Sequence, residues 1–130
     1  MPDISVIVPT PDPDRTFGWE SKLRASSVEA ELLVRDEGSA SAARNAGIRA
    51  AGGDKLVFLD DDSDPRGDYF ERVSALLDEH PAVTGRIRDT GSRFIRPVAS
   101  SDYDQGESGH VTETVVGCNM AMRRAVLEDI

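Results

Sequence analysis

The chain has 130 residues, 38% hydrophobic and 30% charged, which is enough for one core and not two. Its 24 Asp+Glu outnumber 15 Lys+Arg, and the net charge of −9 opposes non-specific binding to nucleic acid or anionic lipid. The single cysteine, Cys118, excludes an intrachain disulfide and a multi-cysteine zinc site, and no apolar run approaches the ~20 residues of a membrane span or follows a basic N-terminal stretch.

In chain order, Ile4 to Val8 (ISVIV) is a β-branched run stopped by Pro9, the pattern of a strand buried on both faces in a parallel sheet. Residues 9–14 (PTPDPD) read as a loop. Trp19 and Leu23, four apart with Phe17 nearby, give a helical signal within Arg15 to Ser27. Glu31 to Val34 is a second short strand, leading into a turn at Asp36-Glu37-Gly38-Ser39. Ser39 or Ser41 caps the next helix, which runs to Ala51. Gly52-Gly53 stands where a left-handed C-terminal residue is wanted. The small residues Ala40, Ala43, Ala46, Gly47 and Ala50 let that helix approach a sheet closely. Lys55 to Leu59 is the third strand. Asp64-Pro65 reads as a cap and first-turn proline for a helix that buries Phe70, Val73, Leu76 and Leu77. Ala82 to Ile87 is a fourth strand, residues 89–110 a polar loop with a strand at Arg93 to Val98, Val111 to Met122 one or two strands, and Arg123 to Ile130 the start of a helix.

This alternation specifies an α/β protein of three α/β/α layers with a mostly parallel, Rossmann-like sheet. Right-handed crossovers align the carboxyl ends of the strands at one edge, where such folds bind ligands. Three strand ends carry the distinctive polar residues: Pro9-Thr10, Asp36, and Asp60-Asp61-Asp62. Three adjacent carboxylates repel one another unless a cation or hydrogen-bond donors compensate. In an extended segment Asp60 and Asp62 point the same way, and such oxygen donors suit Mg²⁺ or Mn²⁺ shared with a diphosphate.

The blocks Ile4 to Thr10, Val34 to Ser39 (VRDEGS), Ala43 to Ala51 (ARNAGIRAA), Leu56 to Asp62 (LVFLDDD) and Gly117 to Arg124 (GCNMAMRR) resemble, in order, those of the family-2 glycosyltransferases with the GT-A fold. The resemblance implies one nucleotide-sugar-binding domain over residues 1–130, a nucleotide-diphospho-sugar donor, a saccharide or lipid-linked acceptor, and Mg or Mn as cofactor. It implies a cytoplasmic protein, at or near the membrane's cytoplasmic face. By the same resemblance, Pro9 and Thr10 line the base pocket and Asp36 accepts from the base imino group. Arg44 lies near the diphosphate, Asp61 contacts the ribose, and Asp62 with Asp60 holds the metal. Gly117 to Asn119 lie beside the donor sugar.

Two positions depart from the family. Pro11-Asp12 stands where an aromatic and an asparagine are usual, and Glu37 stands where a second aspartate is usual. Inverting members carry a general-base carboxylate beyond the helix that starts here near Arg123. The resemblance therefore implies the donor half of a transferase, with the base beyond Ile130 and no catalytic residue assigned. Glu128-Asp129 lies too early for that role. His80 and His110 have no partner by spacing, and Cys118 reads as a small buried hydrophobe. Two other classes fit parts of the chain: a receiver-type signalling domain with an acidic Mg site, since Leu59 to Gly67 (LDDDSDPRG) resembles its phosphoacceptor strand and loop, and a binding module that keeps the donor pocket without turnover. Only Lys22 and Lys55 are lysines; the acid-rich, lysine-poor balance fits adaptation to high salt, with an ordinary acidic cytosolic protein as the plainer reading.

Overall fold

The structure, a computed structural model, describes residues 2–12, 14, 16–60, 63–84 and 119–128. The elements in order are β1 (Ile4–Pro9), α1 (Glu20–Ala25), β2 (Ala30–Arg35), α2 (Ala40–Ala50), β3 (Lys55–Leu59), α3 (Tyr69–Glu79), β4 (Ala82–Thr84), β5 (Asn119–Arg123) and α4 (Arg124–Glu128). They form a five-stranded sheet in the order β2-β1-β3-β5-β4. β1 pairs in parallel with β2 and β3, while β5 runs antiparallel to both β3 and β4. β4 therefore runs with β3, and β5 is the one reversed strand among those described. A signalling receiver has an all-parallel sheet of order 2-1-3-4-5. The reversed β5 rules that alternative out.

The apolar run of β1, broken only by the hydrogen-bonded Ser5, follows from its position between two strands, with helices over both faces. Ile4, Val6 and Val8 pack on one face with Phe17, Trp19 and Leu23 around α1, with Phe70, Val73 and Leu77 of α3, and with Val57, Leu59 and Ala121. Ile7, Leu56 and Phe58 pack on the other, against Ile48, Ala51 and Leu127 from α2 and α4. These are the expected three layers. Edge strand β2 is half-buried along its whole length, as one free side requires. α2 lies against β1 because its inward face is Ala43, Ala46 and Gly47. A Cβ on Gly47 would stand 2.4 Å from Ile7 Cγ2, so only glycine permits this approach.

Several local expectations change. α1 is a short helix of 6 residues. α3 starts at Tyr69, with Asp68 rather than Asp64 at the N-cap position. Lys22 Nζ donates to Asp64 Oδ1 at 3.2 Å and to the Pro65 carbonyl at 2.7 Å, holding that segment outside the helix. Leu76 is 42% exposed, because the buried stripe of α3 is Phe70, Val73, Ser74 and Leu77, the i, i+3, i+4, i+7 set. Ser74 is accommodated in the stripe by accepting at Oγ from Lys55 Nζ, 2.9 Å away. α2 does end before Gly52-Gly53, but neither glycine is left-handed; Ala51 is extended (φ −67, ψ 133), and Gly38 (φ +91) is the positive-φ residue among those described. The expected strand at Arg93 to Val98, the polar loop of residues 89–110, Cys118 and His110 lie outside the described residues, as does the end of the expected fourth strand after Thr84.

Candidate functional site

The carboxyl ends of β1, β2 and β3 meet at one edge of the sheet. Pro9 is the register partner of Arg35. One residue on, the Thr10 amide donates to the Arg35 carbonyl at 2.9 Å, so the next residue of β2's chain, Asp36, leaves the sheet beside Thr10. Thr10 is buried, and its Oγ1 accepts from the Asp12 amide at 3.3 Å, which starts the polar loop. Asp36 is exposed. Its carbonyl accepts from the Gly38 amide at 2.7 Å, a tight turn that uses the positive φ of Gly38. The turn delivers Ser39 to the N-cap of α2, where its Oγ accepts from the Ala42 amide at 3.1 Å. Glu37, in the place of the family's usual second aspartate, is tied back to Arg35, whose Nε donates to it at 2.7 Å. That bond is the largest influence on Glu37 and holds its carboxyl below the ordinary value.

Arg44, in the second turn of α2, reaches across to the end of β3. Its Nη2 lies 3.4 Å from Asp60 Oδ1, with the side chains 25% and 40% exposed. The Arg44 Nε is buried and finds no acceptor among the described residues. Arg44 is therefore turned toward the end of β3 and is not a solvated helix face, whereas its neighbour Asn45 is exposed. β5 enters the sheet at this same edge: Asn119 is the register partner of Leu59, one residue before Asp60. Thr10, Asp36, Arg44, Asp60 and the Asn119 backbone thus belong to one rim. Asp61, Asp62 and Gly117 lie outside the described residues.

Asp60 supplies the hard oxygen donor that Mg²⁺ or Mn²⁺ takes, half-exposed at the end of a buried strand, and in donor chemistry it fits the implied ion. Among the described residues no group of three or more His, Cys, Asp or Glu gathers. No helix among them is long and apolar enough to cross a membrane.

The opposite edge of the sheet carries a polar clasp that no sequence pattern announced. Glu31 of β2 accepts from Ser5 Oγ at 2.6 Å and from the Gly52 amide at 2.5 Å. Ser5 Oγ in turn accepts from the Gly53 amide at 2.9 Å. Arg124, first residue of α4, donates to the carbonyls of Ile48 (3.4 Å), Ala51 (2.6 Å) and Gly53 (2.9 Å). Arg124 is thus no surface residue of a helix but a group that bonds carbonyls at the end of α2 and just beyond it, Ile48 in the helix, Ala51 at its C-cap and Gly53 in the turn to β3, in part the task assigned from sequence to a glycine cap. Burial pushes the Glu31 carboxyl up, but hydrogen bonds from Ser5 and the Gly52 and Gly53 amides, with the Arg124 charge, outweigh it and leave the group below its ordinary value.

The fold has clear counterparts. Two crystal structures of Staphylococcus aureus TarS residues 1–349 align over 98% of this chain: the complex with UDP at 17% identity and TM-score 0.67, over 48% of that chain, and the complex with UDP-GlcNAc at 18% identity and TM-score 0.65, over 47% of it. This chain spans about half the length of those proteins, and at such identity the likeness establishes a shared GT-A fold. No curated protein sequence matches significantly. The sequence profile described as Glycosyl transferase family 2 matches residues 6–130, which takes in every strand and helix described above except the first two residues of β1. By that match the chain belongs to glycosyl transferase family 2.

Proposed function

We propose that this chain carries the donor site of a metal-dependent, inverting glycosyltransferase that moves a sugar from a nucleotide diphosphate to an acceptor hydroxyl. The observation that carries the reading is the rim formed by Thr10, Asp36, Asp60 and the Arg44 guanidinium, in a chain of this family. A net charge of −9 makes such local cations necessary for an anionic ligand. In this reading Pro9, Thr10 and Asp36 receive the base, with the Asp36 carboxylate opposite an imino N–H. Arg44 offers its planar guanidinium to phosphate oxygens. Asp61 meets the ribose and Asn119 the donor sugar. Asp60 and Asp62 would hold Mg or Mn, which when bound supplies Lewis-acid stabilisation of the departing diphosphate. The described residues supply no assigned base for the acceptor, so their part is to bind and orient the donor. The TarS counterparts bind UDP and UDP-GlcNAc, which makes uridine nucleotides the first ligands to try. The surplus of acid over lysine belongs with the same reading as an adaptation to high salt.

The test is a calorimetric titration with UDP-, GDP- and dTDP-sugars, with and without Mn²⁺. Saturable binding of one of them, strengthened by Mn²⁺ and weakened by Asp62→Ala more than by Asp64→Ala, is expected. No binding by any of the three, or equally tight binding in EDTA, would overturn the donor-and-metal reading.

A further inference from the structure

We infer that Arg44 serves as an exchangeable counter-ion, paired with the Asp60 carboxylate when the site is unloaded and released to the phosphates when a divalent ion takes that carboxylate. The inference rests on the donor-site reading and deepens it, by assigning to one ion pair the coupling between metal and nucleotide.

Three features of the pair carry it. The contact is long for a charge-assisted hydrogen bond: 3.4 Å between Arg44 Nη2 and Asp60 Oδ1, where about 2.7–2.9 Å is usual. It uses one guanidinium nitrogen where a fork could engage two, and the buried Nε has no acceptor among the described residues. Arg44 thus keeps donor capacity that Asp60 does not use, directed into a partly desolvated place where an unmet donor is costly. The two side chains also approach from different elements, α2 and the end of β3, so the pair can open by side-chain rotation while the backbone stays fixed. A tetrahedral phosphate offers the several oxygens that a guanidinium can meet and a single carboxylate oxygen does not.

The exchange has a thermodynamic sign. With Asp60 occupied by Arg44, a cation must displace a positive charge to bind, so Arg44 opposes metal binding in the absence of nucleotide. With phosphate present, Arg44 has a better partner, and Asp60 is released to the metal. Metal and nucleotide each lower the cost of binding the other, and linkage makes the coupling reciprocal. Half-exposed pairs are weak, so the effect of removing Arg44 on metal affinity is on the order of two- to five-fold.

Mn²⁺ binding is read by the loss of the free-ion electron paramagnetic resonance signal, and UDP binding by calorimetry, on the whole 130-residue chain. Without nucleotide, Arg44→Gln should bind Mn²⁺ about two- to five-fold more tightly than wild type. Its UDP affinity should fall, and the factor by which Mn²⁺ raises that affinity should shrink toward one. Arg44→Lys keeps the charge and should stay within about two-fold of wild type in Mn²⁺ affinity. In an Asp60→Asn background the effect of Arg44→Gln on Mn²⁺ should vanish, which closes the double-mutant cycle. Fluorescence of Trp19, the chain's one tryptophan, checks that each variant folds. Unchanged or weaker Mn²⁺ binding by folded Arg44→Gln, or an effect that persists without Asp60, would overturn the exchange. Failure of wild type to bind UDP, GDP or dTDP would overturn the donor reading instead, and the Mn²⁺ comparison would still decide the Arg44–Asp60 competition.

Discussion

Arg124 donates to the Ala51 carbonyl at 2.6 Å, joining the first residue of α4 to the last turn of α2 across more than seventy residues of chain. With the Ile48 carbonyl it meets acceptors that a helix end leaves unpaired, and with Gly53 it ties down the turn that follows. This contact fixes the end of α2 remote from Arg44, and so helps to set where that helix presents its guanidinium.

Arg124→Ala should destabilise the chain by about 1–3 kcal/mol, the range for charged hydrogen bonds that lose one partner. Arg124→Lys should recover only part, since an ammonium cannot fork over three carbonyls. Urea unfolding followed by Trp19 fluorescence measures both. A loss below about 0.5 kcal/mol for the alanine variant would mean that water satisfies those carbonyls equally well.

Gly47→Ala should also destabilise, against the local preference of a helix for alanine. Alanine gains about 1 kcal/mol in helix propensity, but its Cβ meets Ile7 Cγ2 at 2.4 Å, and overpacking costs about 1–3 kcal/mol. Ile7→Ala opens a cavity of its own. If the clash is the cause, the double substitution will cost less than the sum of the two singles. Strict additivity would show that α2 simply shifts away.

Glu31 gives a pH signature. Its carboxyl sits below the ordinary value in the folded state, so the charged form is the favoured one there. The stability it contributes is present above its unfolded value of about 4.5 and is lost as pH falls through the lower folded value. Glu31→Gln should therefore cost about 1–2 kcal/mol at pH 7, with the gap to wild type closing progressively below pH ~4.5. Denaturation curves at several pH values decide it; a gap that does not change with pH would assign the effect to shape instead of charge.

Asp36→Ala should weaken uridine nucleotide binding by about 1–3 kcal/mol, the cost of an unpaired partner. The loss should be about equal for UMP and UDP-GlcNAc, because the base is common to both. A loss confined to the sugar-bearing ligand would move Asp36 away from the base.

How far the sequence spoke depends on whether the signal was local. Ile4 to Val8 and Leu56 to Leu59 were legible as strands because a strand covered on both faces is mostly apolar, with Ser5 admitted by its hydrogen bonds. Two rim residues followed, since Thr10 and Asp60 are the first polar residues after those runs, and Asp36 followed from the turn after the second strand. Ser39 was legible as a cap for the same local reason. What failed depended on distant partners. Asp64 has the sequence of a cap, but Lys22, forty-two residues earlier, holds it in an ion pair. Gly52-Gly53 has the sequence of a left-handed stop, but Arg124 does that work from another element. Leu76 was expected in the core, and Ser74 takes that place because Lys55 reaches it from β3. The reversed direction of β5 has no signal in its own five residues, because antiparallel insertion is a property of the neighbours it joins.

That insertion sets an order of assembly. Among the described strands β4 has no sheet partner but β5, and β5 comes after every other strand in the chain. During synthesis β1, β2 and β3 can zip together from adjacent segments, while Ala82 to Thr84 must wait, edge unpaired, until residues 119–123 have left the ribosome. Of the described strands the latest-made is thus an interior one, and 59 residues of chain separate it from β3. Long-range closure of this kind slows folding, and until β5 arrives the β3 edge that it covers stands open.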